Sequence, residues 1–483
     1  MKKLLYFLLF TVALMLMACG GGDEHYADDP GAAEGYEEEY LPEPQDGILS
    51  FEPVIPLNIA ADLFAQVHAI WDADDGDLWG VPLHAPLIIG CPITRHAVLS
   101  EPVNHPDFVR QGDVYVGIMP HPPQGVLLGS TADSFDGRRW GILGWDGHVQ
   151  QNHDLAVQIL IHEAFHAIQF GRIGIGGLSY FANWNFMNLS AQGRTALLME
   201  AKALEAAVLS EGEERDKAIR DALSIRAHRR NLLPGAANAE NEREIFEGTA
   251  LFTEILAFGD ARTLLATHLP RFFGWADTAF LSGGFGYYSG AMYAILLTEA
   301  GASWQQNLTL QTDLGALLQQ ALGVELLPIE QVDLERFGYS DLAPAQQAWV
   351  DEFAVLQKRA EEFYFGPKML IRGESVLEDP FAPHSFLHVN IPDDSPTGRW
   401  WMVFYGDFAH IGDNWRLEIN GGFSTHILRS REPGGGVQVK LYDHIQISED
   451  GMTATTPTWT LEITNPAYYI WINNWGHIHI RER

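Results

Sequence analysis

The spacing of apolar residues divides the chain into three stretches of different character. From Phe51 to about Asp146, one helical segment, LNIAADLFAQVHAIW, is followed by short apolar runs broken by Gly and Pro; APLIIG, VYVGIMP and RRWGILGW read as strands and turns. From His153 to about Phe365, apolar positions recur every three or four residues. HDLAVQILIHEAFHAIQF, RTALLMEAKALEAAVL, ERDKAIRDALSIRAHRR, NEREIFEGTALFTEILAF, GAMYAILLTEA and QQAWVDEFAVLQKRAEEFYF are each expected to form a helix that buries one face. From about Arg372 to Arg483 apolar and polar residues alternate between Gly, Pro and Asp turns, as in WRLEINGG, VQVKLYDHIQI and WTLEITN. That pattern predicts an all-β unit of sandwich size. The expected fold class is α+β, with a mixed sheet and a helical part over residues 48–366 and a C-terminal β-sandwich over 367–483. No internal repeat is found.

The first 47 residues lie outside this scheme. Lys2 and Lys3 precede an apolar run from Leu4 to Met17 that leads to Cys19. The run is shorter than the ~20 residues of a spanning helix and fits a signal peptide over residues 1–19. Leu16-Met17-Ala18-Cys19-Gly20 resembles the lipoprotein box of bacterial lipoproteins, which implies acylation of Cys19 and tethering of the mature chain to a membrane surface. Residues 20–47 hold ten acids, no Lys or Arg and few aliphatic side chains. Such a composition does not offset the entropy of ordering, so a disordered acidic tether is expected. Later apolar runs are too short to cross a membrane.

Charge narrows the partners. The first 47 residues account for −8 of the formal −33, which leaves −25 on the rest. Nucleic-acid binding requires clustered Lys and Arg to neutralise phosphates, so nucleic acid is excluded as a partner. With Cys19 assigned to the lipid, Cys91 in LIIGCPI reads as a buried structural thiol, and the body is built without disulfides.

The candidate chemistry sits in IHEAFHAIQF, residues 161–170. On a helix, His162 and His166 are one turn apart on one face and can present two imidazoles to one ion, with Glu163 next to them. This H-E-x-x-H arrangement is that of zinc hydrolases, in which the metal acidifies a water and the glutamate takes its proton. A catalytic zinc also takes a third protein ligand and keeps an open fourth position. The third histidine of metzincins, six residues after the second, would fall at Arg172, so a carboxylate on a second helix is needed, and Glu200 and Glu247 are the candidates.

FEGTALFTE resembles the E-G-x-A-x-Y/F element on the second zinc helix of gluzincin metallopeptidases of the aminopeptidase N and thermolysin kind. The resemblance implies that Glu247 is the third zinc ligand and that Gly248 and Ala250 let its helix lie close against the first. GYYSGAMYAILL resembles the Y-x-x-G element of the aminopeptidase N group, which implies that Tyr287, at the start of a helix, stabilises the oxyanion; Tyr288 and Tyr293 are neighbours able to do the same. The order LWGVPLHAPL, HEAFHAIQ, LMEAKALEAA, FEGTALF is similar to that of a group of bacterial zinc peptidases. The interval from His166 to Glu247 is far longer than in thermolysin-like enzymes. The implied fold is a gluzincin-like zincin unit, and the implied activity is hydrolysis of peptide bonds in a peptide or protein substrate, with Zn²⁺ as cofactor. STADSFDGRRWGILGW reads either as an edge strand for pairing with substrate backbone or as a core strand.

Trp400, Trp401, Trp415, Trp459, Trp471, Trp475, Tyr468 and Tyr469 concentrate in the β unit. They fill its core or stack on sugar rings. The second use defines the alternative function, a non-catalytic lipoprotein that binds cell-wall glycan or protein partners through this unit.

Overall fold

The computed structural model describes residues 55–365, apart from 92–93, 120–129, 146–148, 150–151, 176–189, 234 and 279. Beyond them it describes 368–372, 375–377, 385–391, 399–412, 415–427, 436–440, 445–450, 452–464, 468–472 and 478–482. The signal-peptide, lipidation and tether expectations lie outside the described residues.

Helix α1 (Leu57–Asp74) buries Leu63, Phe64, Val67 and Trp71 along one stripe and stops where Asp75 enters the left-handed region. Six strands follow: β1 (Leu87–Gly90), β2 (His96–Leu99), β3 (Val109–Gln111), β4 (Val114–Ile118), β5 (Thr131–Phe135) and β6 (Arg138–Gly144). They form one sheet in the order β3-β4-β2-β1-β6-β5, parallel between β1 and β6 and antiparallel elsewhere. The expected mixed sheet is present, and β5, within STADSFDGRRWGILGW, is the last strand in its order.

Helix α2 (His153–Ile168) starts at Asn152, whose side-chain oxygen accepts from the Leu155 N–H at 3.1 Å and satisfies one of the first-turn donors. The helix lies directly on β6. A Cβ at Gly141 would stand 2.7 Å from the Ala164 backbone nitrogen, so only glycine allows the two backbones to approach this closely. Helices α3 (Ala191–Leu209), α4 (Gly212–Leu232), α5 (Ala236–Arg243), α6 (Thr249–Phe258), α7 (Ala261–Phe273), α8 (Phe280–Glu299), α9 (Leu314–Leu322) and α10 (Tyr339–Phe365) complete the helical part. One apolar core joins the sheet to these helices. Trp79 is its hub: it packs on Phe165 of α2 at 5.1 Å, on Trp304 at 5.6 Å and on Phe252 of α6 at 6.3 Å, and its indole N–H donates to Thr253 at 2.9 Å. The aromatic group fixes α2 against α6.

Two features depart from the sequence expectations. The segment NEREIFEGTALFTEILAF is helical throughout but contains a π-helical turn, Glu244–Gly248, between α5 and α6; a second π turn, Gln169–Ile173, continues α2. Such turns concentrate at functional sites because they re-aim side chains within a helix. In addition, α8 starts at Phe280, so Tyr287 lies inside a helix rather than at its start. The glycine-rich run FLSGGFGYYSG has low intrinsic propensity, and packing overrides it. A Cβ at Gly284 would stand 2.2 Å from Trp275, one at Gly286 2.5 Å from Arg243 Cγ, and one at Gly290 2.6 Å from the Glu244 carbonyl oxygen.

Among the described residues from 368 onward, every regular element is a strand, as expected. Strands β7 (Lys368–Arg372), β8 (Ser375–Leu377), β9 (Ser385–Ile391), β10 (Arg399–Gly412), β11 (Trp415–Ile427), β12 (Gly436–Lys440), β13 (Gln446–Ile447), β14 (Thr453–Thr455), β15 (Trp459–Ile463), β16 (Tyr468–Ile472) and β17 (Ile478–Glu482) join one hydrogen-bonded network. Strand β11 pairs with β15 through Trp415–Ile419 and with β12 through Ser424–Ile427. Strand β10 pairs with β9 and then with β8, on either side of an irregularity between Gly406 and Phe408. Long strands that change partner along their length are a device for turning corners between sheets. Trp459 is buried, as a core role requires; the side chains of the other named aromatics lie outside the described residues.

Candidate metal centre

His162 and His166 point to one place from α2, and Glu247 reaches it from the π turn before α6. The two Nε2 atoms are 3.2 Å apart, and Glu247 Oε2 is 3.1 Å from His166 Nε2 and 3.5 Å from His162 Nε2. All three side chains are buried, and among the described residues no other three His, Cys, Asp or Glu side chains converge in this way. A tetrahedral ion with bonds of about 2.0–2.1 Å has ligand–ligand edges of about 3.3–3.4 Å. The three donor atoms therefore already form one face of a polyhedron of suitable size, and this buried group could hold a metal ion.

The outer nitrogen of each imidazole is also held. His162 Nδ1 lies 3.2 Å from Glu254 Oε2, and His166 Nδ1 lies 2.9 Å from Gln169 Oε1. Gln169 in turn donates to the carbonyls of Ile245 and Phe246 and to Thr249 Oγ1, which ties the end of α2 to the turn that carries Glu247. Partners of this kind set ring orientation and leave Nε2 directed inward. Phe246 stacks on His166 at 4.3 Å, and Tyr287 stacks on His162 at 5.9 Å with 13° between the planes. Glu163 is fully buried, and its charge acts on His162.

The electrostatics favour a cation. Burial alone would depress His162, but hydrogen bonds to Glu247 and Glu254 and the charge of Glu163 outweigh it and push its pKa up to about 10. His166 is lowered, by burial first and by His162 beside it. Burial would raise Glu247, but Arg243 and the two imidazoles hold its carboxyl well below the usual carboxylate range. Glu163, Glu247 and Glu254 thus surround the imidazoles, with Arg243 on Glu247.

Glu200, the other candidate third ligand, belongs to a different network. It accepts from Arg229 at 2.7 Å, Arg226 at 3.3 Å and the Tyr293 hydroxyl at 3.0 Å. Arg226 forms a fork to Glu244 with both contacts at 2.6 Å, and Ser289 donates to Glu244 at 2.7 Å. Tyr293 is therefore part of this scaffold rather than of the metal centre. Tyr288 packs on Phe272 and Trp275, and burial pushes its hydroxyl pKa up. Of the three tyrosines, Tyr287 is the one stacked on a metal-centre histidine. Gly248 does not serve the approach to α2 that the resemblance implied: a Cβ there would stand 2.6 Å from the Gly290 Cα, so it seats the Glu247 turn against α8. The glycines of FEG and YYSG are two halves of one helix contact.

The sequence reading missed Glu254, Gln169 and Arg243. Each carries a helical signal: Gln169 is three residues after His166, Glu254 seven after Glu247, and Arg243 four before it. No protein-family model, no curated protein and no solved structure matches the chain.

Proposed function

We propose that the chain is a zinc-dependent metallopeptidase, carried on a bacterial membrane surface by a lipid at Cys19 and acting on peptide or protein substrates outside the cytoplasm. The observation that carries this reading is the convergence of His162, His166 and Glu247 on one point, with Glu163 on the same helix. Two imidazoles and a carboxylate are a donor set suited to Zn²⁺. When bound, the ion supplies Lewis-acid activation of a water and of the scissile carbonyl. Glu163 takes the proton from the water and delivers it to the leaving amine. Tyr287, over the His162 ring, donates its hydroxyl to the developing oxyanion. Glu254 and Gln169 keep the imidazole rings in register. The mixed sheet, α2 and the Glu247 helix constitute a gluzincin-like unit on this reading, and the strands after 367 a sandwich.

Elemental analysis of the purified protein tests it. About one zinc per chain is expected in the wild type and in Glu163→Gln, and none in His162→Ala or Glu247→Ala. Peptide hydrolysis is expected in the wild type alone. A wild type without metal, or a Glu163→Gln variant as active as the wild type, refutes the proposal.

A further inference from the structure

Glu247 divides its two carboxylate oxygens between different partners. Oε2 faces the imidazoles, while Oε1 accepts from Arg243 Nη1 at 2.9 Å. Both residues are buried. Arg243 is itself held against α8: its Nε donates to the Gly283 carbonyl at 3.4 Å, its guanidinium stands 5.2 Å from the centre of the Tyr287 ring, and its stem fills the notch that Gly286 leaves. With the stem wedged there, the guanidinium stays on one oxygen of Glu247.

We propose that Arg243 is a positioning residue that confines Glu247 to single-oxygen ligation and so preserves an open coordination position on the metal. The inference rests on the metal-centre reading above. A carboxylate beside a divalent ion can chelate it with both oxygens, which would fill the position that water and substrate need. A charge-assisted hydrogen bond from a fixed guanidinium competes for the second oxygen and blocks that arrangement. The same guanidinium spans from Glu247 to the ring of Tyr287, so the ligand and the oxyanion donor are set in one frame.

Cobalt substitution of the full chain provides the test, because four-coordinate Co²⁺ absorbs visible light far more strongly than five- or six-coordinate Co²⁺. Wild type and Arg243→Lys, which keeps a donor for Oε1, are expected to absorb strongly. Arg243→Met, folded by circular dichroism and carrying one cobalt, is expected to lose most of that absorption. If Arg243→Met does not fold, Gly286→Ala takes its place; it crowds the stem, retains the charge and is expected to show the same loss. Cobalt uptake with equal spectra in wild type and displaced-arginine variants overturns the role of Arg243 alone, as does weak absorption in the wild type. Failure of the wild type to take up cobalt overturns the metal centre and this inference with it.

Discussion

The contact between Gly141 and α2 makes Gly141→Ala an informative perturbation. The added Cβ would stand 2.7 Å from the Ala164 nitrogen, 2.9 Å from its Cα and 3.0 Å from the Glu163 carbonyl carbon, whereas ordinary contact begins at 3.4 Å. These are backbone atoms in the middle of a helix and cannot swing aside, so strand and helix must part by about 0.7 Å. Overpacking of this kind costs about 1–3 kcal/mol. The functional consequence is larger than the stability cost, because α2 carries His162 and His166 while Glu247 stands on another helix. A shift of this size exceeds the ~0.2 Å tolerance of metal–ligand distances, so metal affinity is expected to fall about 10–100-fold. Denaturant unfolding of the metal-free protein reads the first effect, and chelator competition for zinc reads the second. Gly171→Ala is the control, since a Cβ there meets nothing within 4 Å. A Gly141→Ala protein with the stability and zinc affinity of the wild type would refute the argument that this glycine sets the position of the metal helix.

Glu200→Ala removes one of the two buried carboxylates on Arg229, Glu240 being the other, together with the acceptor of the Tyr293 hydroxyl, and is expected to cost about 1–3 kcal/mol by chemical denaturation; its metal content should remain that of the wild type, and loss of metal from a folded variant would contradict the assignment. Metal uptake should displace protons with a defined count. The His162 pKa is raised to about 10, so the ring is protonated at neutral pH and must lose that proton to bind, whereas His166 is already lowered and Glu247 already ionised. Affinity therefore rises with pH until about 10, and calorimetry near pH 8, above the ordinary imidazole range, in buffers of different ionisation enthalpy should give about one proton released per ion; no release would show that His162 is neutral in the metal-free protein.

The two halves of the site differed in how far they could be read from the chain. His162, Glu163 and His166 share a helix, and helical periodicity alone places the two imidazoles on one face. The α+β division, the amphipathic helices and the β character after residue 367 follow from the same kind of local pattern, since burial of one face dictates a period of 3.6 or 2. Glu247 was one of two candidate carboxylates, and only resemblance favoured it over Glu200. Glu200 and Glu247 both lie on helical segments that bury most of their residues, and helical periodicity does not distinguish them. Their roles separate because Arg226 and Arg229 engage Glu200 inside the scaffold, while Gln169 ties the Glu247 turn to the end of α2 and Arg243 holds the outer oxygen of Glu247.

By itself the sequence determined the period of each segment and the H-E-x-x-H face, because these depend on neighbours along the chain, and the acidity of the whole, which composition alone fixes. Tertiary structure decided which carboxylate meets the two imidazoles, the partners of the outer imidazole nitrogens and the helical state of FLSGGFGYYSG. Those depend on which surfaces meet. A glycine that weakens an isolated helix becomes the residue that permits one when another backbone must come within contact distance of its Cα, as Gly248 and Gly290 do for each other.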